Sequence, residues 1–206
     1  MIRINGVDVA SQINTLTQED STNPKGAYHL ADNPNLYQVQ MTNNFEFVVT
    51  DLEKLISVGT TKTIANAQEY LRMSVDASSV PHFTQGIIEI PRGNSMIKAA
   101  GKPSFDQTTL VVNDFIGADT KDILMSWQNL SYNVDTEKVG LMSDYKKDCY
   151  LIEYTPDNQK VRQWIMKGCW VSGISETGKS NGSADKVQVT VTIQYDYAKI
   201  DKSGLL

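Results

Sequence analysis

Residues 173–180 read Gly-Ile-Ser-Glu-Thr-Gly-Lys-Ser, which satisfies every fixed position of the phosphate-binding loop pattern. In a loop that holds a nucleotide, the glycines let main-chain N–H groups wrap the phosphates. The lysine then neutralises them and the hydroxyl binds magnesium. That chemistry requires a buried strand before the loop and a helix opening directly after it. Upstream, Gln163-Trp164-Ile165-Met166 is strand-like. Downstream, Asn181-Gly182-Ser183 are turn formers, and residues 187–197 repeat with period two, so no helix starts there. The flanks therefore fit a surface loop over 173–185 between two strands better than a nucleotide site.

Other reactive side chains form no constellation. The two cysteines, Cys149 and Cys169, lie in apolar, strand-like surroundings and are expected to pack as small buried hydrophobes. His29 and His82 stand alone in polar segments, whereas a zinc site wants paired ligands at short spacing. No Gly-x-Ser-x-Gly elbow is present. Carboxylates are scattered through polar faces and loops. No catalytic, metal or cofactor residue is assigned, and no cofactor is expected.

The elements that would carry such residues are mostly strands. Residues 1–36 are rich in Ser, Thr, Asn, Gln and Asp and read as an N-terminal arm with one short strand. A domain over 37–206 follows. Tyr37–Met41 and Phe45–Val49 alternate apolar and polar, either as one strand interrupted at Asn43-Asn44 or as a hairpin turning there. Residues 50–68 read as a long excursion, with a helical turn after Asp51. Tyr70–Ala77 alternates like a strand. Gly86–Pro91 and Met96–Lys98 flank a turn at Arg92-Gly93-Asn94-Ser95, and Gly101-Lys102-Pro103 breaks the pattern. Asp106–Asn113 is a further strand.

One helix is expected after Asp119, with Ile123, Leu124, Trp127 and Leu130 as its apolar stripe and Trp127 as a core anchor. Cys149–Tyr154 and Lys160–Ser172 are strands joined by turn formers. The cleanest strand is 187–197. Val187, Val189, Val191, Ile193, Tyr195 and Tyr197 share one face, and Gln188, Thr190, Thr192, Gln194 and Asp196 the other. If that strand is an edge, it needs a partner, since nothing blunts it.

The 206 residues suit one domain plus an arm or large loop, and 40% hydrophobic with 21% charged residues is the balance of a globular chain. The net charge of −5 argues against tight binding to a phosphate backbone, which needs clustered Lys and Arg. The first residues lack the apolar stretch of a signal peptide and no membrane-length apolar run follows, so folding in a cytosol is expected.

The order of these elements carries a resemblance. Phe45-Glu46-Phe47-Val48 leads into a polar loop; a hairpin containing Ile90-Pro91-Arg92-Gly93 follows, then Gly101-Lys102-Pro103-Ser104-Phe105. Thr109-Leu110-Val111-Val112-Asn113-Asp114 runs into the single helix with Trp127, and three strands close the chain. Over roughly residues 40–200 this resembles the tail tube proteins of tailed bacteriophages and the inner tubes of contractile injection systems.

The resemblance implies a mainly β (α+β) fold: a β-sandwich or partial barrel with one flanking helix, and a long hairpin that completes an oligomeric β-barrel. It implies a virion structural protein assembled in the host cytoplasm into stacked six-membered rings. Their channel passes DNA without tight binding, and sheath, baseplate or terminator proteins are partners. Carried onto this chain, the candidate lumen-facing residues are Gln188, Thr190, Thr192, Gln194, Asp196, Glu89 and Arg92. The candidate inter-ring loop holds Asp51, Glu53, Lys54 and Lys62. The arm and the 173–185 loop exceed a simple tube subunit and suggest a specialised ring near the baseplate or tail end. Two other readings stand beside it. One is a β-sandwich module binding carbohydrate or protein, with Tyr132, Tyr145, Tyr150 and Tyr154 as a platform. The other is a nucleotide-binding enzyme.

Overall fold

The computed structural model describes residues 3–4, 7–8, 39–53, 66–116, 119–182 and 184–201. The chain divides into two compact units, 1–40 and 41–206. In the first, β1 (Arg3–Ile4) pairs antiparallel with β2 (Val7–Asp8).

The second unit begins with β3 (Phe45–Val49). Val39–Met41 lie outside any strand, and Tyr37 and Gln38 lie outside the described residues, so the early alternation yields one strand here. Next come α1 (Ala67–Ser74) and β4 (Val75–Ser78). The strand expected over Tyr70–Ala77 is therefore helical through Ser74. Ala67, Leu71 and Ser74 are buried at helical spacing, while Met73, which alternation places on the buried face, is 77% exposed. Packing of this stripe onto β3 and the later helix overrides the local period of two.

Then follow β5 (Phe83–Arg92), β6 (Ser95–Phe105), β7 (Thr108–Asn113) and α2 (Thr120–Ser131). The helix is the expected one, with Ile123, Leu124 and Trp127 fully buried. Asp119 holds its N-cap position in a left-handed conformation, φ 48°, without a side-chain bond to the helix. Trp127 Nε1 donates to the Tyr145 carbonyl at 2.8 Å, so the buried indole keeps its polar group satisfied. α1 is a helix beyond the single one expected.

β8 (Tyr132–Asn133), β9 (Lys138–Val139), the turn-length α3 (Met142–Tyr145), β10 (Lys147–Tyr154), β11 (Lys160–Glu176), β12 (Gln188–Gln194) and β13 (Tyr197–Asp201) complete the unit. β11 serves two antiparallel sheets. Its first half pairs with β10 and β13, and β10 pairs onward with β3. Its second half pairs with β12, which pairs with β7 and then β4. The register slips at Gly168, φ +67°, where β11 bulges and changes sheet. The two sheets and α2 enclose one core that includes Phe47, Leu110, Trp127, Leu151, Met166 and Val191, with Cys149 and Cys169 buried in it. The fold is mainly β, and no sheet closes into a barrel among the described residues.

Candidate assembly surface

β5 and β6 form a hairpin that pairs with no other strand among the described residues. Its turn is Gly93-Asn94, with φ +59° at Gly93, the position where a primed two-residue turn requires glycine. The strands extend well past the expected Gly86–Lys98 limits, from Phe83↔Phe105 to Arg92↔Ser95. Gly101-Lys102-Pro103 does not break the strand. It forms a bulge opposite Gly86, where a Cβ on Gly101 would stand 2.8 Å from the Gly86 carbonyl oxygen. Glycine at 101 is what lets the two main chains approach there.

Directly opposed residues share a face. Ile88, Ala99, Ile90 and Ile97 make one face, ending at Arg92 and Ser95. Ile87, Ala100, Pro91 and Met96 lie on the other, around the Glu89–Lys98 ion pair at 3.9 Å. Glu89 and Arg92, both expected to face a channel, therefore point to opposite sides. Ile87, Ile88, Met96 and Ile97 are each more than half exposed. An isolated two-stranded sheet is marginal in water. Each such side chain would gain about 1.5–3 kcal/mol on full burial. Both outer edges also carry unpaired main-chain groups, a template for further strands.

The second surface lies on β12. Val189, Val191 and Ile193 are fully buried, while Gln188, Thr190, Thr192 and Gln194 are half-buried on the opposite face. Asn113, Val111 and Thr109 of β7 lie across from Gln188, Thr190 and Thr192, so the face continues as small, uncharged side chains. Gln188 Nε2 donates to Asp76 Oδ2 at 2.8 Å, and Gln194 Nε2 to Gln107 Oε1 at 3.0 Å. β12 is interior, between β11 and β7, and not an edge. The continuous strand expected over 187–197 is two: the chain bends at Asp196 and resumes as β13 against the first half of β11. Asp196 thus leaves the Thr/Gln face. Its carboxylate accepts from Lys146 Nζ at 2.7 and 2.9 Å.

Of the proposed loop residues, Asp51 and Glu53 are exposed on either side of the fully buried Leu52. Lys54 and Lys62 lie outside the described residues. The phosphate-loop pattern is dismantled by its own pairing. Gly173, Ile174, Ser175 and Glu176 are extended strand residues in register with β12, a main-chain shape that cannot wrap a phosphate. The loop starts at Thr177, not Gly173. Lys179 pairs with Glu176 at 2.6 Å, and turn residues follow Ser180. Glu176 also binds Lys121; that bond first, then Lys179, holds its carboxyl down to about 2.

Of the four tyrosines considered as a platform, Tyr132 is exposed and Tyr145, Tyr150 and Tyr154 are half-buried. Tyr145 stands edge-on to Trp170, and Tyr154 donates to Glu46. No group of three His, Cys, Asp or Glu among the described residues could hold a metal. The feature missed in the sequence was the hairpin's full length. Its signal was present in Phe83 and Phe105, aromatic residues on either side of the apparent breakers.

A mainly β body that projects an apolar hairpin with both edges open is the build of a self-assembling subunit. No protein-family model matches the chain. The tail tube protein gp19 of Enterobacteria phage T4 is 30% identical over 118 residues, covering 54% of this chain and 72% of that protein. The gp19 of Enterobacteria phage T6 matches to the same extent. The chain belongs to the tail tube protein family.

Solved structures agree on the fold. A chain of the PVC sheath–tube complex of an extracellular contractile injection system superposes with a TM-score of 0.58 at 16% identity, over 86% of this chain and 99% of that one. A chain of the anti-feeding prophage tube-terminating cap gives 0.56 at 14% identity, over 79% and 91%.

Proposed function

We propose that copies of this chain, a structural tube-forming protein, join through their β5–β6 hairpins into stacked six-membered rings around a channel that passes DNA. The observation that carries this reading is the hairpin itself. It exposes apolar side chains on both faces and two open edges, and neighbouring hairpins supply what both lack. The uninterrupted Ile88, Ile90, Ile97 face packs onto a neighbour. The face with Glu89 and Lys98 turns to the channel, which puts Arg92 at the hairpin tip on the packing side.

Gln188, Thr190, Thr192 and Gln194 continue the channel wall, and Asp196 stands at its margin, neutralised by Lys146. Uncharged amides and hydroxyls offer phosphate no counterion to displace, so DNA slides without capture. The excursion bearing Asp51, Glu53, Lys54 and Lys62 contacts the next ring, and residues 1–36 form an arm distinct from the 37–206 domain. The chain itself catalyses nothing. Its partners are further copies and the sheath, baseplate or terminator proteins of a virion tail assembled in the host cytoplasm.

Negative-stain electron microscopy across a concentration series tests this. Rings with a central hole, alone or stacked, are the expected result. Single-subunit particles at every concentration would count against it.

A further inference from the structure

The hairpin continues two chain paths out of the body. β4 runs through residues 79–82 into β5, and β6 returns through Asp106 and Gln107 into β7. Neither stem is in strand pairing, so the direction of the hairpin depends on what holds the stems. Ser79 ties the start of the first stem to Thr108 and Thr109 of β7, the Asp106 N–H donates to the His82 carbonyl across the stems, and two consecutive residues at the end of β12 hold the stems to the body next to the hairpin. The Tyr195 hydroxyl donates to the His82 carbonyl at 2.9 Å and accepts from the His82 N–H at 3.2 Å. It thereby occupies both main-chain groups of the last residue before β5. Gln194 holds the other stem through Gln107.

The ring of Tyr195 is 5% exposed and packs edge-on to Phe105, centroids 6.2 Å apart. Phe105 also meets Phe83 at 5.8 Å and Tyr197 at 5.1 Å. One aromatic cluster thus spans both hairpin strands and the β12–β13 bend. His82 Nε2 and Asp106 Oδ2 approach to 3.4 Å and close the base. That contact joins stem to stem and fixes nothing relative to the body.

We propose that Tyr195 is a positioning residue for assembly: its hydroxyl sets the hairpin's angle to the body before any neighbour arrives. This rests on the hairpin-joined tube reading. Its consequence is entropic. A subunit whose hairpin is already aimed loses less freedom on joining a neighbour, so rings form at lower concentration.

The test is Tyr195→Phe, which keeps the ring and its packing and removes the hydroxyl. Spin labels on cysteines placed at Asn94, in the hairpin turn, and Asn129, exposed on α2, report the hairpin angle by pulsed electron resonance below the ring-forming concentration. The expected result is one narrow distance distribution in the native background and a clearly broader one in Tyr195→Phe. The ring-forming concentration should rise about tenfold. The melting of the body, followed by near-ultraviolet circular dichroism, should move little. Equal widths in both backgrounds, or a broad distribution in the native one, would overturn the proposal. So would an assembly loss matched by an equivalent loss of body stability. A native protein that forms no rings sinks the tube reading instead, and the label distances still judge the latch.

Discussion

Gly168 and the carboxylate of Asp196 meet at the bend between β12 and β13 so closely that a Cβ on residue 168 would overlap the carboxylate. The pair fixes where the last strand leaves one sheet for the other. Gly168 supplies a left-handed φ of +67° at the β11 bulge, and the Asp196 N–H donates across it to the Lys167 carbonyl at 3.0 Å. Two requirements thus fall on one position, a positive φ and an absent side chain. Gly168→Ala is expected to destabilise the subunit by about 2–4 kcal/mol in urea unfolding. Asp196→Ala in the same chain should recover part of that loss, because it removes the overlapping carboxylate but not the backbone strain.

The hairpin should separate folding from assembly. Ile88 and Ile90 are 53% and 44% exposed and belong to no core cluster of the body. Ile88→Lys and Ile90→Lys are expected to leave subunit stability within about 0.5 kcal/mol of native. Each should abolish rings and sediment as a single subunit in analytical ultracentrifugation. A variant that still forms rings at the native concentration would remove this face from the interface.

The Thr/Gln face of β12 gives a charge-based test. Thr190 and Thr192 are half-buried and stand between buried valines and isoleucine, so a longer side chain points off the sheet without entering the core. Thr190→Lys with Thr192→Lys should leave rings intact and make them retain DNA. Retention should weaken steeply as salt rises, the mark of counterion release. Unchanged passage of DNA would place this face away from the channel.

Glu176 gives a pH test. Bonds from Lys121 first and Lys179 second lower its carboxyl from an ordinary 4.5 to about 2. The folded value lies below the unfolded one, so this pairing stabilises fully above the ordinary carboxylate range. Its contribution is lost as pH falls through about 2. Glu176→Gln should melt below the native protein at neutral pH. The gap should narrow from about pH 4.5 downward and close near pH 2. Because Glu176 is only half-buried, added salt should shrink the neutral-pH gap as well.

The sequence by itself determined the elements whose pattern is long and one-sided. Thr120–Ser131 repeats its apolar residues at helical spacing, and Val189, Val191 and Ile193 alternate without interruption; in each, burial of one face and local propensity agree. The order of those elements sufficed for the tail tube resemblance. It also sufficed to reject the phosphate-loop pattern, since residues after Ser180 could not open a helix.

Only the tertiary structure decided the rest, and in each case the deciding contact is distant along the chain. Tyr70–Ser74 alternates like a strand yet is helical, because Leu71 and Ser74 must meet β3 and α2. Val187–Tyr197 reads as one strand yet bends at Asp196, because β11 bulges at Gly168 and offers its first half as the next pairing edge. Glu89 and Arg92 look equivalent in sequence, but cross-strand register sets them on opposite faces of the hairpin. Tyr195 looks like one more core aromatic until its hydroxyl is found on the His82 main chain. Local period and propensity report what a segment prefers alone; register, bulges and hinge contacts arise between segments, and no window along the chain contains both partners.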